Sequence, residues 1–364
     1  MKFLTFALLA STAAAVVTSP WTRSSSSSNF VSTSFQAGCN FIDSGSQNEL
    51  TMFQAETFDP ATIDRELGYA ASLGMKTVRV FLHNLLWDQG PADFLSRLDD
   101  FLAISESHDI GVMFVLLDSC WGSSPASGKQ PDPVPFVHNS VWVQAPGLAV
   151  VSSGVSSVSF QNLEDYVTGV VTRFGTDVRV VAWDLWNEPD NSGYTPDEIK
   201  PLLEQVFDWV ESVQPTQPLT TPLWKVKDWS AVSSLTVLEK VQIERSDIIS
   251  FHHYGDGDAL SAAISELETF GKAVVCTEYM ARENDSFFNP NLGIMAAANV
   301  VAYNWGLVNG LTQTIYPWDS WNVPNPYSGP PDIWFHEIFN QDGTPYSQDE
   351  ADYIRNVTAS VANV

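Results

Sequence analysis

The chain has 364 residues, which is enough for one large domain with a substantial hydrophobic core. It carries 43 acidic against 17 basic residues, a formal net charge of −26, together with 13 tryptophans. A negative field of this size repels phosphate backbones and anionic membrane surfaces, so nucleic acids and membranes are poor partners, whereas a neutral ligand meets no such barrier.

The first 19 residues have the features of a secretory signal. Lys2 precedes an apolar run over 3–10, and small residues fill 11–19. The run is too short to span a membrane, and no other segment is long enough. We therefore expect a cleaved signal peptide at 1–19, an extracellular protein, and a flexible serine-rich lead-in over 20–33. Two sequons, at Asn284 and Asn356, predict glycosylation in a eukaryotic host.

From residue 34 to residue 364, strand-like runs alternate with amphipathic helical stretches. Eight such units without a linker specify a parallel sheet covered by helices, and predict an α/β fold with a single (β/α)8 TIM barrel. A long segment rich in Pro, Gly and Ser, 122–159, is expected as an ordered loop over the barrel mouth. The predicted strands are 34–40, 77–82, 111–117, 180 to near 188, 219–223, 247–252, 273–278 and 312–318. The predicted helices are 61–73, 91–107, 162–174, 196–213, 259–270, 292–305 and 349–362.

Two predicted strands end in a glutamate. The fourth runs into Asn187-Glu188 and is stopped by Pro189, and the seventh ends at Glu278. In a barrel both carboxyls lie at the carboxyl-end rim, where two carboxyls about 5–5.5 Å apart can break a glycosidic bond with retention. The alternative is two rim glutamates in unrelated salt bridges.

The residues around these glutamates resemble clan A glycoside hydrolases, nearest to family 5, over about 35–346. The resemblance is carried by Ala182-Trp-Asp-Leu-Trp-Asn-Glu-Pro189, Phe251-His-His-Tyr254, Cys276-Thr-Glu278 and Trp318. It implies a retaining mechanism, with the strand-four glutamate as acid/base and the strand-seven glutamate as nucleophile.

The same resemblance suggests roles for further residues. Arg79 lies inside an apolar strand and should be paired; the family places such an arginine beneath the nucleophile. Asn187 would bind the 2-hydroxyl of the sugar, His252 and Tyr254 match a His-x-Tyr pattern that lines the cleft, and Trp318 would stack under the sugar ring.

One departure concerns the end of strand three. Many family 5 enzymes have a histidine there, and this chain has Asp118-Ser-Cys-Trp121. His138 in the long loop could substitute in space, and Asp118 is a hypothetical ligand of a sugar hydroxyl. The histidines lack the spacing of metal ligands, so we expect no metal and no cofactor.

The three cysteines are too few for a disulfide framework. Each lies on or next to a predicted strand, so buried thiols are expected, and a Cys39–Cys120 bridge remains open. Cys276 stands two residues before Glu278; strict strand alternation places both side chains on one face and predicts that the thiol packs inside the barrel.

These observations predict a secreted, monomeric, retaining β-glycoside hydrolase acting on a plant or microbial polysaccharide or a derived oligosaccharide. A transglycosylase of the same clan and a non-catalytic carbohydrate-binding barrel are the alternatives. The sequence leaves the sugar open among β-glucan, mannan, xylan and galactose-bearing chains, and does not decide between endo and exo action.

Overall fold

The apolar runs form a parallel barrel in the computed structural model, which describes residues 17–23, 30–225 and 228–361. The spatial order of the strands is β5-β4-β3-β2-β1-β8-β7-β6, and a parallel bridge between Leu223 and Phe251 joins β5 to β6. The predicted (β/α)8 barrel is confirmed. Its strands are β1 (Ala37–Asn40), β2 (Thr77–Phe81), β3 (Gly111–Val115), β4 (Val180–Asp184), β5 (Leu219–Thr220), β6 (Ile249–His253), β7 (Val274–Tyr279) and β8 (Val301–Trp305).

The helices around the barrel bury one apolar face each. The helix Pro196–Val213 illustrates the rule: Thr195 and Glu198 form a capping box at its start, and Leu203, Val206 and Val210 pack inward at helical spacing. The remaining α-helices in the described ranges are Glu49–Phe53, Pro60–Ser72, Asn84–Gln89, Pro91–Ser107, Leu148–Val151, Val158–Gln161, Leu163–Phe174, Val237–Arg245, Gly257–Glu268, Phe288–Ala297 and Gln348–Val361. None of the described helices combines the length and the apolar character that a membrane crossing requires.

The eighth strand is not where the sequence pattern placed it. The helix predicted over 292–305 ends at Ala297, and the strand predicted over 312–318 is loop. Asn299 adopts a left-handed φ of 55°, which separates the helix from the β-branched and aromatic run Val301–Trp305. That run pairs in parallel with β1 and closes the sheet.

The barrel interior is apolar at its lower end and polar at its upper end. Met113, Val181, Val275 and Val301 form the lower layer. Above it, Tyr303 shares a hydrogen bond of 2.7 Å with Thr77. The polar groups near the carboxyl ends of the strands belong to the site described below.

Part of the expected lead-in is built onto the barrel. Trp21–Arg23 and Phe30–Ser32 pair as an antiparallel ribbon, and Trp21 and Phe30 are buried in the lower layer. Flexibility over 20–33 is therefore the wrong expectation for these two strands, because their aromatic side chains leave water. The signal residues 1–16 and the serine tract 24–29 lie outside the described residues.

All three cysteines are free thiols. Cys276 is buried, but it packs in the outer core between sheet and helices and not inside the barrel. The register of β7 against β6 and β8 shifts next to Cys276, so strict alternation fails there. This irregularity turns Glu278 inward while Cys276 faces outward, and the same-face prediction was wrong for that reason.

Candidate active site

A cavity of about 390 Å³ opens at the carboxyl ends of the strands. This is the face on which parallel barrels carry their active sites. The cavity is lined by eight of the nine residues that the sequence singled out, and the ninth, Arg79, lies directly beneath them. The eight are Asp118, His138, Asn187, Glu188, His252, Tyr254, Glu278 and Trp318.

Glu188 reaches the cavity through a turn that follows β4. Its backbone has a φ of 42°, a left-handed conformation that is costly for a residue with a side chain. The carboxyl accepts a hydrogen bond from the side-chain amide of Asn191 and another, at 3.4 Å, from the thiol of Cys120. Its other oxygen lies 2.7 Å from Nδ1 of His252. Every one of these partners is an uncharged group.

Glu278 is bound by one cation and one hydroxyl donor. Arg79 donates from Nη1 to one carboxylate oxygen at 2.9 Å, and the hydroxyl of Tyr254 donates to the other at 2.8 Å. The residue is 5% exposed, so these two donors replace water that the carboxylate loses on burial.

The two carboxyls are neighbours. One oxygen of Glu188 lies within 4.8 Å of one oxygen of Glu278, although 90 positions separate them in the sequence. Burial raises the pKa of both groups, and the charge of each opposes ionisation of the other. Only Glu278 contacts a cation, Arg79, and this contact favours ionisation of Glu278 over that of Glu188.

Arg79 lies beneath the cavity and hydrogen-bonds to four residues around it. It is fully buried, and it donates to Asp184 from Nε at 3.0 Å and from Nη2 at 2.8 Å, in addition to Glu278. It also donates to Asn40 at 2.8 Å and to Asn187 at 2.6 Å. The expectation of a paired arginine beneath the strand-seven glutamate agrees with this geometry.

Asp118 and Arg79 hold Asn187 between them. Asn187 accepts from Arg79 through Oδ1 and donates from Nδ2 to Asp118 at 2.9 Å. Asp118 accepts a second hydrogen bond, at 2.7 Å, from the indole of Trp142, and burial raises its pKa to about 6. Asp118 therefore orients Asn187 from the cavity wall; a direct contact of Asp118 with a sugar hydroxyl stays a prediction.

Burial lowers the pKa of all three histidines that line the cavity, His138, His252 and His336, which favours their neutral forms. Burial lowers the pKa of His252 to about 4 and that of His138 to about 4. His138 lies 2.8 Å from the carbonyl oxygen of Tyr316, to which its Nδ1–H donates, so its Nε2 is the acceptor. The structure thus brings His138 from the long loop to the cavity, as the sequence suggested.

Aromatic side chains form much of the cavity wall. Trp318 opens a short 3-10 turn, Trp318–Trp321, and packs edge-on against Tyr254 with a centroid distance of 5.1 Å. It therefore reaches the site from a loop and not from a strand. The other tryptophans that face the cavity are Trp121, Trp142, Trp224 and Trp305.

Several site residues escaped the sequence reasoning. Asp184 gave a partial signal, because a carboxylate inside an apolar strand needs a cation and Arg79 is a basic residue inside another predicted strand. Cys120 was noted only as a buried thiol, and Asn191 and His336 have no distinctive sequence context. His336 enters the cavity from the loop before the last helix.

Glu188, His252 and Glu278 also form a group whose ligand atoms could surround a metal ion, since these atoms lie within 4.8 Å of one another. The carboxylate oxygens are already bound by Arg79 and Tyr254 on one side and by Asn191 on the other. The absence of a metal remains a prediction of the sequence.

The family comparison agrees with this site. The model of the cellulase family, glycosyl hydrolase family 5, matches residues 42–323. Mannan endo-1,4-β-mannosidase A of Hypocrea jecorina is 23% identical over 312 residues, which cover 72% of this chain and 67% of that protein.

Solved structures share the fold. The endo-1,4-β-mannanase of Rhizomucor miehei superposes with a TM-score of 0.59 at 13% identity, covering 92% of this chain and 98% of that one. The exo-β-1,4-mannosidase of Opitutaceae bacterium strain TAV5 gives 0.61 at 16% identity, covering 96% of this chain and 62% of that one. The chain belongs to glycosyl hydrolase family 5 and is a glycosidase that cleaves O-glycosyl bonds by the retaining, two-glutamate mechanism of that family.

Proposed function

We propose that this glycosidase is secreted and hydrolyses β-1,4-mannosidic bonds, with Glu188 as acid/base and Glu278 as nucleophile. The sugar is suggested by the relatives, since a mannan endo-1,4-β-mannosidase matches in sequence and mannan-active enzymes share the fold. The secretory leader predicted at 1–19 supports an extracellular site of action, where polysaccharides are found.

The single observation that carries the assignment of roles is the difference between the partners of the two carboxyls. Glu278 is bound by the Arg79 cation and the Tyr254 hydroxyl, which suits an ionised nucleophile. Glu188 has only neutral partners in a buried site, which suits a carboxylic acid that still holds its proton near neutral pH.

In the first step Glu278 attacks the anomeric carbon and forms a covalent glycosyl-enzyme. Glu188 gives its proton to the departing glycosidic oxygen, so that an alcohol leaves. Asn187 donates to the 2-hydroxyl of the sugar, a contact that strengthens as the transition state forms. Arg79 and Asp118 prevent the amide of Asn187 from turning away.

In the second step water replaces the departed alcohol beside Glu188. The Glu188 carboxylate removes a proton from this water, which attacks the anomeric carbon and releases Glu278. Two inversions at one carbon give net retention. The separation of at most 4.8 Å between one pair of carboxylate oxygens suits this route, because inverting enzymes hold the carboxyls about 6.5–9.5 Å apart to admit a water.

The test is the variant Glu278→Ala, assayed on an aryl β-mannoside. We expect turnover to vanish, and added azide to restore it in part with a product of inverted anomeric configuration. Glu164→Ala, the same change at an exposed glutamate on an outer helix, is the matched control and should retain full activity. Unchanged hydrolysis by Glu278→Ala would refute the assignment of the nucleophile.

The choice of sugar is tested separately. A panel of aryl β-mannoside, β-glucoside, β-xyloside and β-galactoside should give the highest kcat/KM with the mannoside. A clear preference for another sugar would refute the substrate and leave the two-glutamate chemistry standing. Recovery of the protein from the culture medium of its host, with an N-terminus between residues 16 and 20, tests secretion.

A further inference from the structure

The two glutamates divide the barrel mouth into unequal halves. Glu188 follows β4 and Glu278 lies on β7, so β5 and β6 lie on one side of the line between them and β8, β1, β2 and β3 lie on the other. A substrate chain passing through the site has to leave over one half, over the other, or over both.

The larger half is closed by two loops that meet above it. We call these the loop bridge, formed by residues 134–142 after β3 and 312–325 after β8. Backbone and side-chain hydrogen bonds tie the loops together across the ends of β1 and β2. They include Asn139 N to Thr312 O at 2.8 Å, His138 N to Ser320 Oγ at 3.0 Å, and Trp321 Nε1 to His138 O at 2.8 Å.

A pair of stacked indoles completes this wall. The rings of Trp121 and Trp321 lie with centroids 5.4 Å apart and planes 2° from parallel. Trp121 faces the cavity and Trp321 covers its outer side. His138 lies against Trp121 with a ring-centroid distance of 5.8 Å, so Trp121 contacts the loop bridge through His138 as well as through Trp321.

The β6 side of the smaller half has a low rim. Only the three residues 254–256 connect β6 to its helix, which begins at Gly257. On the β5 side a longer connection, 221–236, follows the strand; its Trp224 borders the cavity, and the indole donates to Asp190 at 2.7 Å. A sugar chain can leave the reaction centre in this direction.

Asn187 fixes which end of the substrate lies in each half. The 2-hydroxyl that it binds in the proposed mechanism belongs to the sugar whose anomeric carbon is attacked. Asn187 is turned toward β3 by its bond to Asp118, and so toward the closed half. The sugar that is attacked therefore lies under the loop bridge, and the departing part of the chain lies over the β5–β6 rim.

We propose that the cavity is blind at its glycone end, so that the enzyme removes sugars one at a time from the non-reducing end of its substrate, with the Trp121–Trp321 stack as the wall that excludes a longer glycone. The inference rests on the proposed function. A cavity of about 390 Å³, near the lower end of the ~300–1,000 Å³ usual for small-molecule sites, fits a short glycone better than an open cleft does.

The test uses β-1,4-mannopentaose with a fluorescent label at its reducing end. The wild-type enzyme should release mannose and labelled tetraose first, followed by labelled triose. A second pentaose, capped by a methyl group on the 4-hydroxyl of its non-reducing terminal sugar, should be cut more slowly by a large factor.

Early appearance of labelled biose and triose, or equal cleavage of the capped pentaose, would overturn the blind pocket and leave the mannosidic activity intact. If neither pentaose nor an aryl β-mannoside is cut, the proposed function itself falls, and the inference with it.

The wall is tested by Trp321→Ala, which removes the outer indole and its bond to His138. We expect the share of internal cleavage products to rise severalfold, and the capped pentaose to become a substrate. Trp334→Ala is the matched control: Trp334 stacks on Tyr346 at 4.8 Å, away from the cavity lining, and its loss should leave the product pattern unchanged. An unchanged pattern in a folded Trp321→Ala enzyme would refute the role of the stack.

Discussion

Replacing Arg79 by methionine should damage stability and catalysis together. Arg79 is fully buried and is bound to two buried carboxylates, Asp184 and Glu278. Methionine fills much of the same space but leaves both acids without a cation. Removing one partner of a buried ion pair costs about 3–5 kcal/mol, so we expect a loss of that size in the free energy of unfolding at pH 7.

The catalytic consequence of Arg79→Met has a definite sign. The Arg79 charge favours the ionised form of Glu278, so its removal raises the pKa of that nucleophile further. Because the nucleophile has to be ionised, the acidic limb of the kcat/KM profile should move to higher pH. Arg79→Lys keeps the charge but loses the planar fork, and should shift the limb less.

Two measurements test this. Urea unfolding, monitored by tryptophan fluorescence, gives the free energy of unfolding, and kcat/KM on an aryl glycoside from pH 4 to 9 gives the pH profile. The control is Arg173→Met, which breaks an ion pair with Asp99 between half-exposed side chains and should cost less than about 1 kcal/mol. The reasoning would be refuted if Arg79→Met lost no more free energy of unfolding than the control. It would also be refuted if neither Arg79→Met nor Arg79→Lys shifted the acidic limb of the kcat/KM profile.

Three further outcomes are expected. Cys120→Ala removes a thiol hydrogen bond that lowers the pKa of Glu188. The pKa of Glu188 should rise in this variant, and the basic limb of the kcat/KM profile should move to higher pH. A basic limb at the wild-type pH would show that the thiol has no such effect. Burial raises the pKa of Glu337 from 4.5 to about 8, so the folded state binds a proton that the unfolded state releases between these pH values. The free energy of unfolding should therefore fall as the pH rises from 5 to 8, and it should fall less in Glu337→Gln. Urea unfolding midpoints measured at pH 5 and pH 8 test this. EDTA should leave kcat unchanged, and a loss restored by a divalent ion would contradict the metal-free mechanism.

The sequence predicted the parts of the site that follow from strand ends. Glu188 and Glu278 each close an apolar run, and Arg79 is a charge inside one, so the barrel pattern alone brings them to one rim. The residues that hydrogen-bond to Arg79 beneath the cavity were harder to predict. Asp184 could be assigned to Arg79 only once β2 and β4 were seen as alternate strands of the barrel, separated by β3, because alternate strands contribute the side chains of one interior layer.

Loops and irregular strands account for what was missed. The shift in β7 next to Cys276 reverses which side chain faces the barrel, and period-two patterns contain no trace of it. The strand Val301–Trp305 begins four residues after the helix Phe288–Ala297 ends, and the helix predicted from the sequence therefore extended through the strand. Cys120 and His336 reach the cavity by loop paths that only tertiary packing determines.

The ribbon beneath the barrel limits where an expressed chain can begin. Val17 is buried with Trp21 and Phe30 in the lower layer, and the carbonyl of Thr18 accepts a hydrogen bond of 2.8 Å from Gln36. Leader removal just after Ala15 would keep all of these groups, whereas removal after Ser19 would discard Val17 and Thr18. A recombinant chain started at Ser34 would lack Val17, Trp21 and Phe30 and would leave the apolar floor of the barrel open to solvent.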